Sequence, residues 1–319
     1  MKLSLHIDIK SIPFKHPVAV RGITISDRQY IQLTATDQFG HTVTSEVSPL
    51  DGLHQESIDE ASEQLNQIKQ NIAETGLENI ANKKLYPSVK CGLDILFYLL
   101  KAKQKNSSLA NYLNPQALSS LPINALLNED LSKRELNKTL DRWMAEKRTC
   151  IKIKLGRQSL NKDIRLTKHI LSTIDPSVAL RLDINQQWTL SEFQSFIHSV
   201  DLNKIEYIEE PVIDYRQLDE IPDIHAIKIA LDESILNVET SHFQTLPAYI
   251  KALVIKPMIL GGITPTIQLA SLAHISGRYL VISSSYESPT GLDNLYQLAL
   301  ATHKEDIAAG LDTGVNFVE

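Results

Sequence analysis

Short runs of valine, isoleucine and leucine recur through the last two thirds of this chain, and several close on a charged residue. Lys154, Asp183, Glu209, Asp232 and Lys256 end five such runs, at intervals of 29, 26, 23 and 24 residues. A period in the twenties holds one strand and one helix, and a functional group at each strand end is how a βα barrel reads in one dimension. The runs are LPINALL, CIKIKL, VALRLDI, KIEYIEE, IKIALDE, ALVIKP, YLVISSS and AAGLDT. Helices fit between them at 160–173, 190–200, 264–275 and 294–302. Eight strands with this regularity predict a closed parallel barrel rather than a doubly wound sheet. No G-x-G-x-x-G or P-loop pattern follows any strand, which argues against a nucleotide site. Few residues follow the last strand, so the eighth helix is expected to be missing. The predicted fold class is α/β, a modified TIM barrel of the form (β/α)7β.

An α+β segment precedes it. LSLHIDIK and RQYIQLTATD alternate, and DQFGHT turns into TVTSEVSPL, which reads as a meander. Ser57 and Glu60 form a capping box ahead of a helical stripe (Ile58, Ala61, Leu65, Ile68, Ile72), with Gly76 to close it. A second helix is expected after Pro87, over 88–103. The boundaries drawn are 1–105 for an α+β capping domain and 106–319 for the barrel.

Composition excludes several classes. The chain has 319 residues, 43% hydrophobic and 22% charged, with a formal charge of −6 and no Lys/Arg cluster. Nucleic acid is therefore not an expected partner. No apolar run approaches the roughly 18 residues that span a bilayer, so no membrane association is expected, and the charged start does not read as a signal peptide. Cys91 and Cys150 lack CxxC spacing, which argues against a disulfide framework or thiolate zinc site and fits a cytoplasmic location.

In a barrel the loops after the strands form the site, so Asp183, Glu209 and Asp232 should converge. Three carboxylates repel one another without a cation, and an all-oxygen set selects magnesium, with manganese as a substitute. Lys152 and Lys154 are two apart on one strand and both should face the interior. A partly desolvated lysine beside other cations is expected to have a lowered pKa, which suits a general base. Lys256 should face Lys154 across the pocket. Asn185 could bond a ligand, Ser283, Ser284 and Ser285 could hold a carboxylate, and Glu210 and Glu233 should point away from the metal site by alternation.

The set K-x-K, D-x-N, E-E-P, D-E-S and V-I-K-P resembles the enolase superfamily, and within it the muconate-cycloisomerase-like group. SEVSPLDG, YPSVKCGLD, RLDINQQW, VIKPMILGG, ISSSYES and AGLDT are similar, in order, to segments of its o-succinylbenzoate synthase family. The resemblance implies magnesium ligands at Asp183, Glu209 and Asp232, a base at Lys154, and a second lysine at Lys256 stabilising the intermediate. It also implies pocket-lining roles for Arg181, Ser283 and Gly310, and a closing loop around Arg21 and Gly22. Asp51 and residues 258–262 depart from the usual family wording. The implied reaction is dehydration of 2-succinyl-6-hydroxy-2,4-cyclohexadiene-1-carboxylate, a small-molecule carboxylate, in menaquinone biosynthesis. N-acylamino acid racemisation, dipeptide epimerisation and cycloisomerisation begin with the same proton abstraction and stay open. Epimerases of this type carry an acidic motif near the last strand, and Asp312 stands there.

Overall fold

The computed structural model describes residues 3–79, 84–128, 130–303 and 307–318. The alternation of the first fifty residues builds a three-stranded antiparallel sheet, β1 (Leu3–Val20), β2 (Ile23–Asp37) and β3 (Thr42–Val47). The first two strands run on further than their alternation suggests, pairing from Leu3↔Asp37 to Val20↔Ile23. The ladder shifts register between Pro13 and Val18. Pro13 and Pro17 have no N–H to donate there, so the hairpin continues as a displaced outer half. Its turn is Arg21–Gly22.

Helix α1 (Ile58–Thr75) starts at the reciprocal Ser57/Glu60 capping box and stops at Gly76. Helix α2 (Pro87–Gln104) opens on its proline and is followed by α3 (Leu109–Leu113). Leu65 of α1 and Leu93 and Leu96 of α2 pack on Ile31 and Leu33 of the sheet as one apolar cluster. Gly92 permits that approach: a Cβ there would lie 2.4 Å from Val47 Cγ2 and 2.6 Å from the Glu46 carbonyl oxygen.

The barrel follows as β4 (Ala125–Leu127), α4 (Lys133–Ala145), β5 (Cys150–Lys154), α5 (Leu160–Thr173), β6 (Ala179–Asp183), α6 (Leu190–Ile197), β7 (Ile205–Glu209), β8 (Ile229–Leu231), β9 (Ile250–Ile255), α7 (Pro257–Leu260), α8 (Ile263–Ile275), β10 (Tyr279–Ile282) and α9 (Pro289–Thr302). Strands β4 to β10 form one parallel sheet in sequence order. The eighth segment closes it with two parallel bridges, Ile123↔Ala309 and Ser283↔Gly310. Beyond it the described residues hold only a 3-10 turn, Gly314–Asn316. After β7 and β8 the connections are also 3-10 turns rather than α-helices. Pro211, Pro222 and Pro247 break up those segments. Among the described residues no helix is long and apolar enough to cross a membrane.

Alternation sorts the strand residues. Ile151, Ile153, Leu180, Leu182, Leu253 and Ile255 face outward into the core under the helices. Tyr207, Ala230, Ala252, Val254 and Val281 fill the barrel interior as a separate cluster.

His303, just past α9, ties the ring together. Its Nε2 accepts from the Ile282 N–H at 3.1 Å, and its Nδ1 faces the Ile307 carbonyl at 3.0 Å. Burial pushes its pKa down to about 4, against about 6.5 in an unfolded chain. The folded state therefore favours neutral imidazole, and this stability is full above pH 6.5 and is lost as pH falls through 4. The shift corresponds to about 3 kcal/mol. Urea unfolding of the wild type between pH 7 and pH 4 should lose about that much more stability than His303→Gln. Parallel pH curves would contradict this.

Candidate active site

A cavity of about 750 Å³ lies between the C-terminal ends of the barrel strands and the tip of the β1–β2 hairpin. Its size suits a small organic ligand. Lys152, Lys154, Asp183, Asp232 and Lys256 all line it, and Glu209 lies fully buried just beneath. Register accounts for the assembly: Lys154 is the Cα partner of Asp183, and Asp183 of Glu209. Each side chain also belongs to the inward-facing set of its strand.

The charges interlock. Lys152 Nζ stands 2.7 and 2.8 Å from the Glu209 oxygens and 2.9 Å from Asp183 Oδ2. Lys154 Nζ donates to Asn185 Oδ1 at 3.0 Å and lies 3.5 Å from Asp183 Oδ2. Lys256 Nζ contacts Asp232 Oδ2 directly. Burial works against ionising Asp183, yet Lys152 and Lys154 outweigh it and hold that carboxyl well below the usual range. Burial and then the neighbouring Asp183 charge push Glu209 up to about 8. The lowered lysine pKa expected from the sequence does not hold for Lys152, and Lys256 is raised likewise. Burial does lower both, but carboxylates in contact raise them further, so both end above the ordinary value.

Among the described residues, no group of three or more His, Cys, Asp or Glu side chains is arranged to hold a metal ion as it stands. The ammonium groups explain this, since Lys152 and Lys256 occupy the carboxylate oxygens. The donor set nonetheless fits a hard divalent cation: three carboxylates at three adjacent strand ends, sequestered from water, with ionisation of Glu209 opposed by burial and by the Asp183 charge, which a cation would relieve.

Other expected residues fall in different places. Asn185, Ser283 and Gly310 line the cavity. A Cβ at Gly310 would lie 2.8 Å from Ser283 Oγ, so glycine keeps room for that hydroxyl. Arg181 does not line the cavity. It faces inward one layer lower, fully buried, bonding Glu206 Oε2 at 2.6 Å and the Ala308 carbonyl at 2.8 Å, with its guanidinium over the Tyr207 ring. A register shift between Leu180 and Arg181 leaves Glu206 without a Cα partner on β6. Glu210 lies away from the cavity, as alternation predicts, and accepts from the Asp232 and Ser234 N–H groups, each at 2.8 Å. Glu233 was expected to point away too, but it lines the cavity. Strand β8 ends at Leu231, so alternation no longer governs position 233. Its Oε1 is 3.6 Å from Arg21 Nη2, joining the hairpin tip to the barrel.

Sequence reasoning overlooked Tyr286 and Leu53, which also line the cavity. For Tyr286 the missed signal is backbone strain, which residue type does not announce. Of the eight non-glycine residues with positive φ among the described residues, Arg21, Asn185, Gln186 and Tyr286 line this cavity and Glu210 stands behind it. Such strain collects where a surrounding structure fixes a functional surface.

Comparison with known proteins agrees with this geometry. Residues 135–314 match the family described as enolase C-terminal domain-like. The chain is 30% identical to o-succinylbenzoate synthase of Pasteurella multocida (strain Pm70), over 95% of this chain and 87% of that protein. It is 29% identical to the chloroplastic protein PHYLLO of Arabidopsis thaliana, over 73% of this chain but spanning only 14% of that longer protein. The solved dipeptide epimerase of Enterococcus faecalis V583, complexed with Mg and L-Leu-L-Tyr, superimposes with a TM-score of 0.86 at 22% identity, covering 99% of this chain and 92% of that one.

Proposed function

The chain belongs to the enolase C-terminal domain-like family, and on that premise we propose that it is a lyase acting as an o-succinylbenzoate synthase. The substrate would be 2-succinyl-6-hydroxy-2,4-cyclohexadiene-1-carboxylate and the product 2-succinylbenzoate, a step of menaquinone biosynthesis. The likeness to the Pasteurella multocida synthase along nearly the whole chain is the observation that carries this reading.

Asp183, Glu209 and Asp232 would hold magnesium, or manganese in its place. When bound, the cation supplies positive charge at the substrate carboxylate, which makes the α-proton removable. Lys154, as free amine, takes that proton while Asn185 orients its Nζ. Lys256, cationic and across the cavity, stabilises the negative charge that develops. The C–H electron pair forms the new ring double bond and the C–O bond breaks. Lys154 returns its proton to the departing hydroxyl, so water leaves and the amine is regenerated. Ser283 would bond a substrate carboxylate by giving up the hydrogen bond that its hydroxyl donates to the Gly310 carbonyl at 3.3 Å.

Dipeptide epimerisation is the second reading, favoured by the similar solved structures and by Asp312 on the cavity wall. Asp312, however, already accepts from the Leu126 N–H at 3.1 Å and lies 3.7 Å from Arg148, which leaves it less available to a substrate amine. Comparing kcat/KM on the cyclohexadiene acid, an N-succinyl amino acid and a dipeptide, all with magnesium, tests the choice. The cyclohexadiene acid should lead by orders of magnitude. A lead for the dipeptide would move the function to the epimerase.

A further inference from the structure

Arg28, on β2 and 3% exposed, has no role in the chemistry above. Its guanidinium nevertheless donates to five backbone carbonyls. Nε reaches the Tyr286 carbonyl at 2.9 Å, Nη1 those of Pro49 at 2.6 Å and Gln29 at 3.0 Å, and Nη2 those of Ser48 and, at 3.4 Å, Ser285. One side chain of the antiparallel sheet thus gathers the segment after β3 and the loop after β10. Glu287 and Glu46 continue the clamp, Glu287 accepting from the Ser285 N–H at 2.5 Å and Glu46 from the Ser288 N–H at 3.1 Å.

Tyr286 is where this clamp meets the cavity. Its φ is +62°, a left-handed conformation costly for a bulky side chain. Three contacts fix it there: Arg28 at its carbonyl, the Asn128 amide donating to its hydroxyl at 3.1 Å, and Phe14 edge-on at 5.5 Å. Phe14 in turn stacks on Phe317 at 5.0 Å. A loop needing only to connect β10 to α9 would carry glycine or asparagine at such a φ. Aromatic rings take apolar planar surface well, by offset or edge contact. We propose that Tyr286 is a specificity-determining wall that packs against the six-membered ring of the substrate, which becomes planar in the aromatic product, and that Arg28 is the positioning residue that holds it. This rests on the cavity being the active site of the ring dehydration proposed above.

The test combines steady-state kinetics on the cyclohexadiene acid with calorimetric binding of 2-succinylbenzoate, which needs no turnover. Tyr286→Leu should raise KM and the product Kd about tenfold with kcat within about twofold, the pattern of lost uniform binding. Tyr286→Phe should recover most of that loss. Arg28→Lys keeps a cation between Glu46 and Glu287 but loses the forked geometry, and should reproduce the KM rise. The double variant Arg28→Lys/Tyr286→Leu should be no worse than the poorer single one, because both act on one contact. Additive losses, or Tyr286→Leu binding the product like the wild type, would overturn the inference. So would a wild type that does not bind the aromatic acid. A wild type that binds 2-succinylbenzoate tightly, loses that binding in Tyr286→Leu, yet turns over no ring acid would sustain the wall and overturn the dehydration reading alone.

Discussion

Lys154→Ala is expected to lower kcat on the ring acid by about 10³-fold or more while leaving the fold and its thermal transition nearly unchanged. The size follows from the role: no neighbouring group replaces the base, because Lys152 is locked by two contacts to Glu209 and one to Asp183. The folding side follows from position. The Lys154 side chain is 22% exposed, the most open of the three lysines, and its contacts are one amide oxygen and one carboxylate already paired with Lys152. Turnover within tenfold of wild type would remove Lys154 from the base role. A variant that fails to fold would show that the lysine is structural.

The largest expected effect on stability is that of Lys152→Met. Removing one partner of a buried pair typically costs about 3–5 kcal/mol, and here it takes the ammonium contact from Glu209 and leaves Asp183 with Lys154 at 3.5 Å. In chelator the variant should unfold at distinctly lower urea than wild type. Magnesium should restore much of the loss if Asp183, Glu209 and Asp232 form its site, because a ligand bound only by the folded state stabilises it by mass action. Denaturation curves with chelator and with excess magnesium measure both effects. Equal stability in chelator would contradict the buried pairing, and no magnesium-specific recovery would contradict the ligand set.

Much of this arrangement was legible beforehand for a definite reason. Strand ends are marked by apolar runs stopping at a charge, so Lys154, Asp183, Asp232 and Lys256 could be assigned to one barrel mouth from spacing alone, and all four line the cavity. Capping at Ser57/Glu60 is a four-residue signal and is present as read. What escaped depends on geometry beyond the regular elements. Glu233 follows a strand of three residues, so a period of two has nothing to extend it. Arg181 obeys that period but stands one layer below the mouth, and depth along a strand depends on register with its neighbours. Lys152 and Lys256 titrate high because carboxylates touch them, a distance that residue types do not supply. The role of Arg28 rests on hydrogen bonds spanning 257 and 258 residues of chain, with no local signature at all.

The measurement that bears most directly on the account is single turnover of the ring acid carrying deuterium at the carbon α to its ring carboxylate, with enzyme in excess. With magnesium, the wild type should form the aromatic product more slowly from the deuterated than from the protiated acid, and chelator should stop both. Product formed at full rate in chelator, with no difference between the two isotopes, would contradict metal-assisted proton abstraction at Lys154.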